Sequence, residues 1–428
     1  MHFLYSVSIQ FYGFFLQIAA LFNVKARLWI KGRKDWRQKL KRAIIECNPE
    51  RLPIVWFHAS SLGEFEQGRP VIEAFISNYP DVKIFLTFFS PSGYEVRKNY
   101  EHADLVFYLP LDTPSNARTM LKIVKPAMVF FIKYDFWYNY LRILKARKIP
   151  VYFVSAAFRK KQHFFRFYGA WFRRQLSAAT WFFVQNETSE ELLASIGMKN
   201  VSITGDTRFD RVYTIARMKM EFPLIRKFCG EGPVFIGGST WKEDEAMIFP
   251  LIRAGIPGMK FILAPHDTSS GRVESLISSL GKPVLKLSQL NTENALSAGV
   301  LIIDSVGILN QLYQYAAFAF IGGGFGIGIH NIQEPITFGV PVFFGPNYKK
   351  FIEAVNMVDL GGAFCIPDQE TLRTKVFELL SDPVLFQRAS SICLQYMDEN
   401  RGATGKIMAY FKGAGIFQDL HQAPENDG

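Results

Sequence analysis

From Pro53 to Gly345 the sequence alternates short apolar runs, rich in β-branched and aromatic residues, with longer stretches of helical pattern. The runs are Ile54–Ala59, Lys83–Phe89, Leu105–Pro110, Met128–Lys133, Val151–Ala157, Trp181–Gln185 and Val201–Thr204. After a polar helical stretch the rhythm restarts with Val234–Gly238, Phe261–Pro265, Val284–Leu287, Val300–Asp304, Phe318–Gly322 and Val342–Gly345. Such runs read as buried parallel strands joined by crossover helices. Two series predict two doubly wound α/β domains. Pro223, Gly230, Gly232 and Pro233 mark the boundary, giving domains at 51–222 and 223–412 and a tail at 413–428. Ligands of such sheets bind beyond the carboxyl ends of the strands, so the turns there are where chemistry is sought.

Composition supports a folded chain. Of 428 residues, 49% are hydrophobic and 20% charged, which excludes disorder. The four cysteines form no C-x-x-C pair, which argues against a disulfide framework and for a reducing compartment. The net charge of +11 is local: Asn23–Arg42 holds nine Lys or Arg against one Asp, leaving +3 for the other 408 residues. No basic stripe for nucleic acid remains on the folded part.

That basic cluster, residues 23–50 with their flanks, follows the uncharged run Phe3–Phe22, which defines an anchor at residues 1–22. The length suits a helix that crosses a bilayer, and the charges behind it would place the rest of the chain on the cytoplasmic side, against anionic lipids. Ser6, Ser8, Gln10 and Gln17 favour the other arrangement, a helix lying in the interface plane. A cleaved signal would carry its charges on the opposite side.

Three turns stand out. The first strand ends in His58-Ala59-Ser60-Ser61-Leu62-Gly63-Glu64, where Ser61-x-x-Glu64 reads as a capping box and Glu64 also as a general base. The second domain opens with Gly237-Gly238-Ser239-Thr240-Trp241-Lys242-Glu243, again a predicted box, Thr240 to Glu243, and a helix start suited to phosphate. Glu243-Asp244-Glu245 reads as a solvated helix start. Gly322 to Gly328 hold five glycines after an apolar run, and Glu334-Pro335 begins a helix whose acid suits ribose hydroxyls as well as the helix dipole. The aromatic stretch Phe164–Trp171 reads as a core helix face, or as a membrane-facing or acceptor-facing stripe.

Other chemistries lack their residues. No H-x-H, H-E-x-x-H, D-x-D, GK[ST] or G-x-S-x-G occurs, so neither a metal nor another cofactor is expected.

Taken together, these turns resemble those of the bacterial 3-deoxy-D-manno-octulosonic acid (Kdo) transferases of lipopolysaccharide assembly, from the amino-terminal anchor to about Lys412. The family's small-residue turn ending in Gly-Glu matches Ala59 to Glu64, and its Thr-Pro-x-Gly turn resembles Ser90-Pro91-Ser92-Gly93. Its Glu-Thr-Glu-x-Trp-x-Asn stretch corresponds to Lys133 through Asn139, and Gly-x-x-Lys-Phe-Asp to Gly205 through Asp210. Ser-Thr-x-x-x-Glu corresponds to Ser239 onward, and Gly-Gly-His-Asn-Pro-x-Glu to Gly328 through Glu334.

The resemblance implies a GT-B fold, two Rossmann-like domains facing across a cleft with an amino-terminal membrane-associated helix. It implies inverting transfer of Kdo from CMP-Kdo to the 6′-hydroxyl of a lipid A precursor at the cytoplasmic face of the inner membrane. Glu64 would be the base, with Asp135 and Arg208 stabilising charge. Ser60, Ser61, Gly63, Ser92 and Gly93 would lie on the acceptor side. Ser239, Thr240, Pro265, His266, Val306, Gly307, Ile308, Asn331, Ile332, Gln333 and Glu334 would hold CMP. The chain departs from the family at Lys133, at Arg208, at Pro265-His266-Asp267 for Pro-Arg-His, and at Ile308 for an acid. Rival readings are a GT-B transferase using a UDP-sugar on a lipid-linked acceptor, and a non-catalytic, membrane-tethered nucleotide-binding protein. The oligomeric state is not encoded in these motifs.

Overall fold

The computed structural model describes residues 1–218 and 220–415, which divide into two compact units. The first comprises residues 1–211 with the returning segment from 402; the second comprises residues 212–401. The sequence boundaries, 51–222 and 223–412, had put that last helical segment in the second domain.

The first unit is built on seven parallel strands in the order β3-β2-β1-β4-β5-β6-β7. They are β1 (Ile54–Ala59), β2 (Lys83–Phe88), β3 (Leu105–Tyr108), β4 (Met128–Ile132), β5 (Val151–Ala156), β6 (Trp181–Val184) and β7 (Val201–Ile203). Consecutive aromatic residues point to opposite faces, as the strand period of two requires. Trp56, Phe131 and Phe153 enter one core; their neighbours Phe57, Phe130 and Tyr152 enter the other. A sheet covered on both faces explains why the strands read as unbroken apolar runs. The helix Ala403–Gly413 closes the second core by setting Phe411 against Phe75, Phe130 and Tyr152.

The second unit repeats the plan in the order β10-β11-β9-β8-β12-β13-β14. Its strands are β8 (Val234–Thr240), β9 (Lys260–Pro265), β10 (Leu285–Lys286), β11 (Val300–Ile302), β12 (Phe318–Ile321), β13 (Val342–Phe344) and β14 (Ala363–Cys365). Phe235, Phe261, Phe318 and Phe343 lead its core. Each apolar run named from the sequence holds a strand. The fourteenth, Ala363–Cys365, was not expected: three residues after Gly361-Gly362 carry too little pattern.

The amino-terminal run does fold as a helix, α1 (His2–Ala19), followed by α2 (Val24–Gly32) and α3 (Trp36–Cys47). Among the described residues no helix is long and apolar enough to cross a membrane, which corrects the spanning arrangement. Two residues near the start of α1 bond to the unit. The Tyr5 hydroxyl donates to Asp112 Oδ2 at 2.6 Å, and Ser6 Oγ lies 3.4 Å from Asn139 Oδ1. Phe3, Leu4, Phe11, Phe14, Phe15 and Ile18 remain exposed along the helix. One side of α1 is thus bound to the unit and the other is bare.

Candidate active site

In each sheet the strand order reverses near the middle, and loops leaving there open a crevice. In the first unit the reversal lies between β1 and β4, which are neighbours. The turn after β1 leads into α4 (Leu62–Asn78), which carries Glu64 in its first turn. The turn after β4 carries Lys133 and Asp135. The predicted capping box is present: Ser61 N–H donates to Glu64 Oε2 at 3.1 Å, with Ser61 Oγ at 3.4 Å from the same oxygen. One residue earlier, Ser60 N–H donates to Asp135 Oδ2 at 2.9 Å.

The two carboxyls lie close enough to act on each other. Burial raises the pKa of Asp135 well above the ordinary carboxyl value, and the Glu64 charge raises it further. Glu64 is raised as well, first by burial, and Lys133 and the Ser61 N–H oppose the rise. Both carboxyls therefore give up their protons at higher pH than separate surface carboxyls would. Lys133 adopts a left-handed backbone at φ 65°, a conformation unfavourable for a side-chain-bearing residue, beside the two acids.

Behind Asp135 lies His58, buried in β1. Trp137 Nε1–H donates to His58 Nε2 at 2.9 Å, so Nδ1 carries the proton and donates to Thr87 Oγ1 at 2.8 Å. Burial depresses the His58 pKa to about 3. Its Nε2 is 3.7 Å from Asp135 Oδ2. Sequence reasoning missed this support; the alternation in β1 that put a lone polar His58 between Phe57 and Ala59 was the available signal.

Ser90 N–H donates to Ser60 O at 2.7 Å, so the Ser90–Gly93 turn adjoins the Ser60–Glu64 turn. Ser92 Oγ stands 2.9 Å from Ser90 Oγ, Gly93 lies against the Phe88 ring, and Gly63 is exposed. Arg208 pairs with Asp206 through Nε at 2.8 Å and a terminal nitrogen at 2.7 Å. Burial alone would raise Asp206, but the Arg208 charge and hydrogen bonds outweigh it and hold the carboxyl below its ordinary value. Gln67 Nε2, one turn beyond Glu64, donates to Asp206 Oδ1 at 3.1 Å and links that pair to α4. Asp210, at the end of the same motif, accepts from the backbone N–H of Gly402 and Thr404 and starts the last helix.

In the second unit the reversal lies between β8 and β12. The glycine turn after β12 packs directly on the end of β8: a Cβ at Gly322 would lie 2.2 Å from Ser239 O. Ser239 itself sits at φ 52°. The predicted box from Thr240 to Glu243 is not formed. The helix Lys242–Ala254 begins one residue later, Asp244 Oδ2 accepts from Trp241 N–H and Gly323 N–H, both at 2.8 Å, and the Thr240 hydroxyl donates to Glu245. Glu243 is exposed, but Asp244 and Glu245 are buried rather than solvated, because they hold this turn and Arg272.

A cavity of about 270 Å³ opens here, lined by Ser239, Pro265, His266, Val306, Gly307 and Glu334 among others. Trp241, His266 and His330 stack beside it, with centroids 4.4 and 4.7 Å apart. Trp241 Nε1–H donates to His330 Nε2 at 3.3 Å, and burial, then His266, lowers the His330 pKa. Asn331 Oδ1 accepts from Gln333 N–H at 3.0 Å, Asn331 Nδ2 lies 3.4 Å from Glu334, and Ile308 precedes a short helix at Leu309. Ile332 and Gln333 are buried. Among the described residues no group of three His, Cys, Asp or Glu is placed to hold a metal ion.

Residues 34–211 match the family described as 3-Deoxy-D-manno-octulosonic-acid transferase (kdotransferase). The 3-deoxy-D-manno-octulosonic acid transferase of Haemophilus influenzae is 26% identical over 373 residues, 84% of this chain and 86% of that one. The one from Aquifex aeolicus is 28% identical over 334 residues, 76% of this chain and 86% of that one. Among solved structures, the UDP-GlcNAc 2-epimerase of Neisseria meningitidis bound to UDP-GlcNAc superposes with a TM-score of 0.60 at 17% identity, covering 83% of this chain and 98% of that one. At that identity the likeness is one of fold, two Rossmann-like domains of GT-B type.

Proposed function

Because the chain belongs to the bacterial Kdo transferase family and is a glycosyltransferase, we propose that it transfers Kdo from CMP-Kdo to the 6′-hydroxyl of a lipid A precursor, with inversion. The observation that carries the reading is the Glu64–Asp135 pair at the reversal point of the first sheet. As the acceptor oxygen bonds to the anomeric carbon of Kdo, its proton passes to Glu64 and the bond to the CMP phosphate breaks. Of the two acids Asp135 is raised the further, which leaves Glu64 as the carboxylate that acts. Lys133 and Arg208 supply positive charge as the phosphate departs. The cavity by Ser239, Gly307 and Glu334 suits the nucleotide, with no resident cofactor or divalent ion assigned to the reaction.

The acceptor is an acylated lipid, and the bare apolar side of α1 next to the basic α2 and α3 suits a helix lying in the inner-membrane interface on the cytoplasmic side. Mass spectrometry of the lipid after incubation with CMP-Kdo and a tetra-acylated precursor tests the reaction. A gain of one or more Kdo units is expected; an unchanged precursor with folded protein, or a gain only with a UDP-sugar, would refute it.

A further inference from the structure

Apart from both crevices, the first unit has a groove of about 530 Å³ between the amino-terminal helices and the loop after β3. Its size is in the range of small-ligand sites. Trp29, Ile30, Trp36, Pro110 and Leu111 make its lining largely apolar, and no Asp or Glu takes part in it. Its cations are Arg27 near the α1–α2 turn, Lys31 and Lys34 at the exposed edge, and the buried Arg33. Arg27 donates to Ala20 O and Leu21 O and so fixes the α1–α2 turn, while Lys31 and Lys34 stand exposed.

Arg33 makes the groove a built feature. Its guanidinium is buried, donates to Leu109 O at 2.8 Å, Trp29 O at 3.1 Å and Phe89 O at 2.7 Å, and lies 3.7 Å over the Trp29 ring. With each of its three nitrogens donating to a main-chain carbonyl, Arg33 holds α2 against the sheet rather than awaiting an anion. Burial depresses its pKa to about 9, and the geometry above keeps it in place. The lysines are left to meet the ligand.

We propose that this groove holds one acyl chain of an anionic glycerophospholipid, with the headgroup phosphate on Lys31 and Lys34. An apolar trough whose inner guanidinium is taken up by main-chain carbonyls, and whose exposed lysines stand at the edge, is complementary to an amphiphile with one negative end, and not to a nucleotide or a free sugar. The source is a bilayer, because α1, which contributes Gly13 and Gln17 to the groove, exposes Phe11, Phe14, Phe15 and Ile18. This assignment rests on the interfacial placement of α1 proposed above, and adds to it a stoichiometric lipid that selects anionic membranes.

Native mass spectrometry of the full chain in non-ionic detergent, titrated with phosphatidylglycerol or with phosphatidylcholine, tests it. One phosphatidylglycerol per chain is expected to stay bound, with phosphatidylcholine weaker. Lys31→Gln with Lys34→Gln, both on the surface, should weaken phosphatidylglycerol about 30-fold, from about a fivefold contribution of each lysine. Ile30→Trp should fill the trough and abolish retention, while the variant still sediments with vesicles through the face of α1. Sedimentation lost from every form, including wild type, would instead refute the interfacial placement. Equal retention of both lipids, retention unaffected by either variant, or displacement of the phospholipid by the acylated acceptor at stoichiometric concentration would overturn the proposal.

Discussion

The consecutive backbone N–H groups of Ser61 and Ser60 hold one carboxyl apiece, Glu64 and Asp135, and so set two acids near enough to act on each other. A cap and a base are usually alternative explanations for an acid at a helix start. Here the cap fixes Glu64 Oε2, and the fixed carboxylate then meets a partner from a different strand. Positioning by one role serves the other.

Replacing Glu64 by Gln keeps the shape of the pair and removes the proton acceptor. The turnover number should fall by about 10² to 10⁴. Binding of CMP, measured calorimetrically, should be unchanged, because the cavity assigned to it is lined by residues of the second unit. Equal loss of turnover and CMP affinity would mean that Glu64 supports the fold rather than the reaction.

The pH profile provides a separate check. Burial raises Glu64 above its ordinary value of 4.5, so the carboxylate is lost, as pH falls, earlier than a surface glutamate would lose it. The acid limb of kcat/KM should therefore lie above 4.5. It should persist in Asp135→Asn, since burial is the leading cause, and vanish from the residual rate of Glu64→Gln. An acid limb at the ordinary value would show that another group governs it.

His58 makes a prediction about stability. Its folded pKa of about 3 lies below the unfolded value of 6.5, so the unfolded chain binds the extra proton between those two values. Stability then rises with pH across that window, and about 5 kcal/mol, at 1.36 kcal/mol per unit, is lost on acidification from pH 6.5 towards 3. His58→Gln, which stays neutral, should flatten this part of a urea-midpoint series. The same slope in both proteins would refute the buried neutral imidazole.

What the sequence disclosed follows from which signals are local. Apolar runs reveal buried parallel strands directly, and Ser61-x-x-Glu64 reveals its own cap, because each signal lies within a few consecutive residues. The meeting of Glu64 with Asp135 depends on β1 pairing with β4 across a long crossover, which no local pattern contains; only the family resemblance brought both residues forward. His58, Trp137 and Thr87 come from three separate segments and were missed for the same reason. Twenty uncharged residues suggested a membrane span, but the helix they form is not long and apolar enough to cross one, and its start is tied by Tyr5 to Asp112 in the loop after β3. The cap after β8 was misplaced by one residue, since Thr240 belongs to the strand and its hydroxyl serves Glu245.

Gly322 is a position where packing dictates the residue. A methyl group there would meet Ser239 O at 2.2 Å and Thr240 Cα at 2.7 Å, both main-chain atoms that no rotamer change can move. Gly322→Ala should separate the turns after β8 and β12, with a cost of about 1–3 kcal/mol typical of overpacking. Affinity for CMP should fall at least about tenfold, as one such increment implies. Unchanged affinity in a protein that melts earlier would detach the nucleotide from this crevice.

Asp210 ties the last helix to the rest of its unit, and its removal should be felt there first. Its two oxygens accept from Gly402 N–H and Thr404 N–H, the open donors at the start of Ala403–Gly413. Asp210→Ala leaves those donors to water and should cost about 1–2 kcal/mol, the range for a lost cap. The helix carries Phe411 into the core between Phe75, Phe130 and Tyr152, so fraying at its start loosens a contact at its far end. Hydrogen exchange should therefore speed up over residues 403–413 before it changes in β1 or β4, and Asp210→Asn, which keeps one acceptor, should recover part of the protection. Faster exchange spread evenly over the unit would mean that Asp210 acts on the whole sheet rather than on this helix.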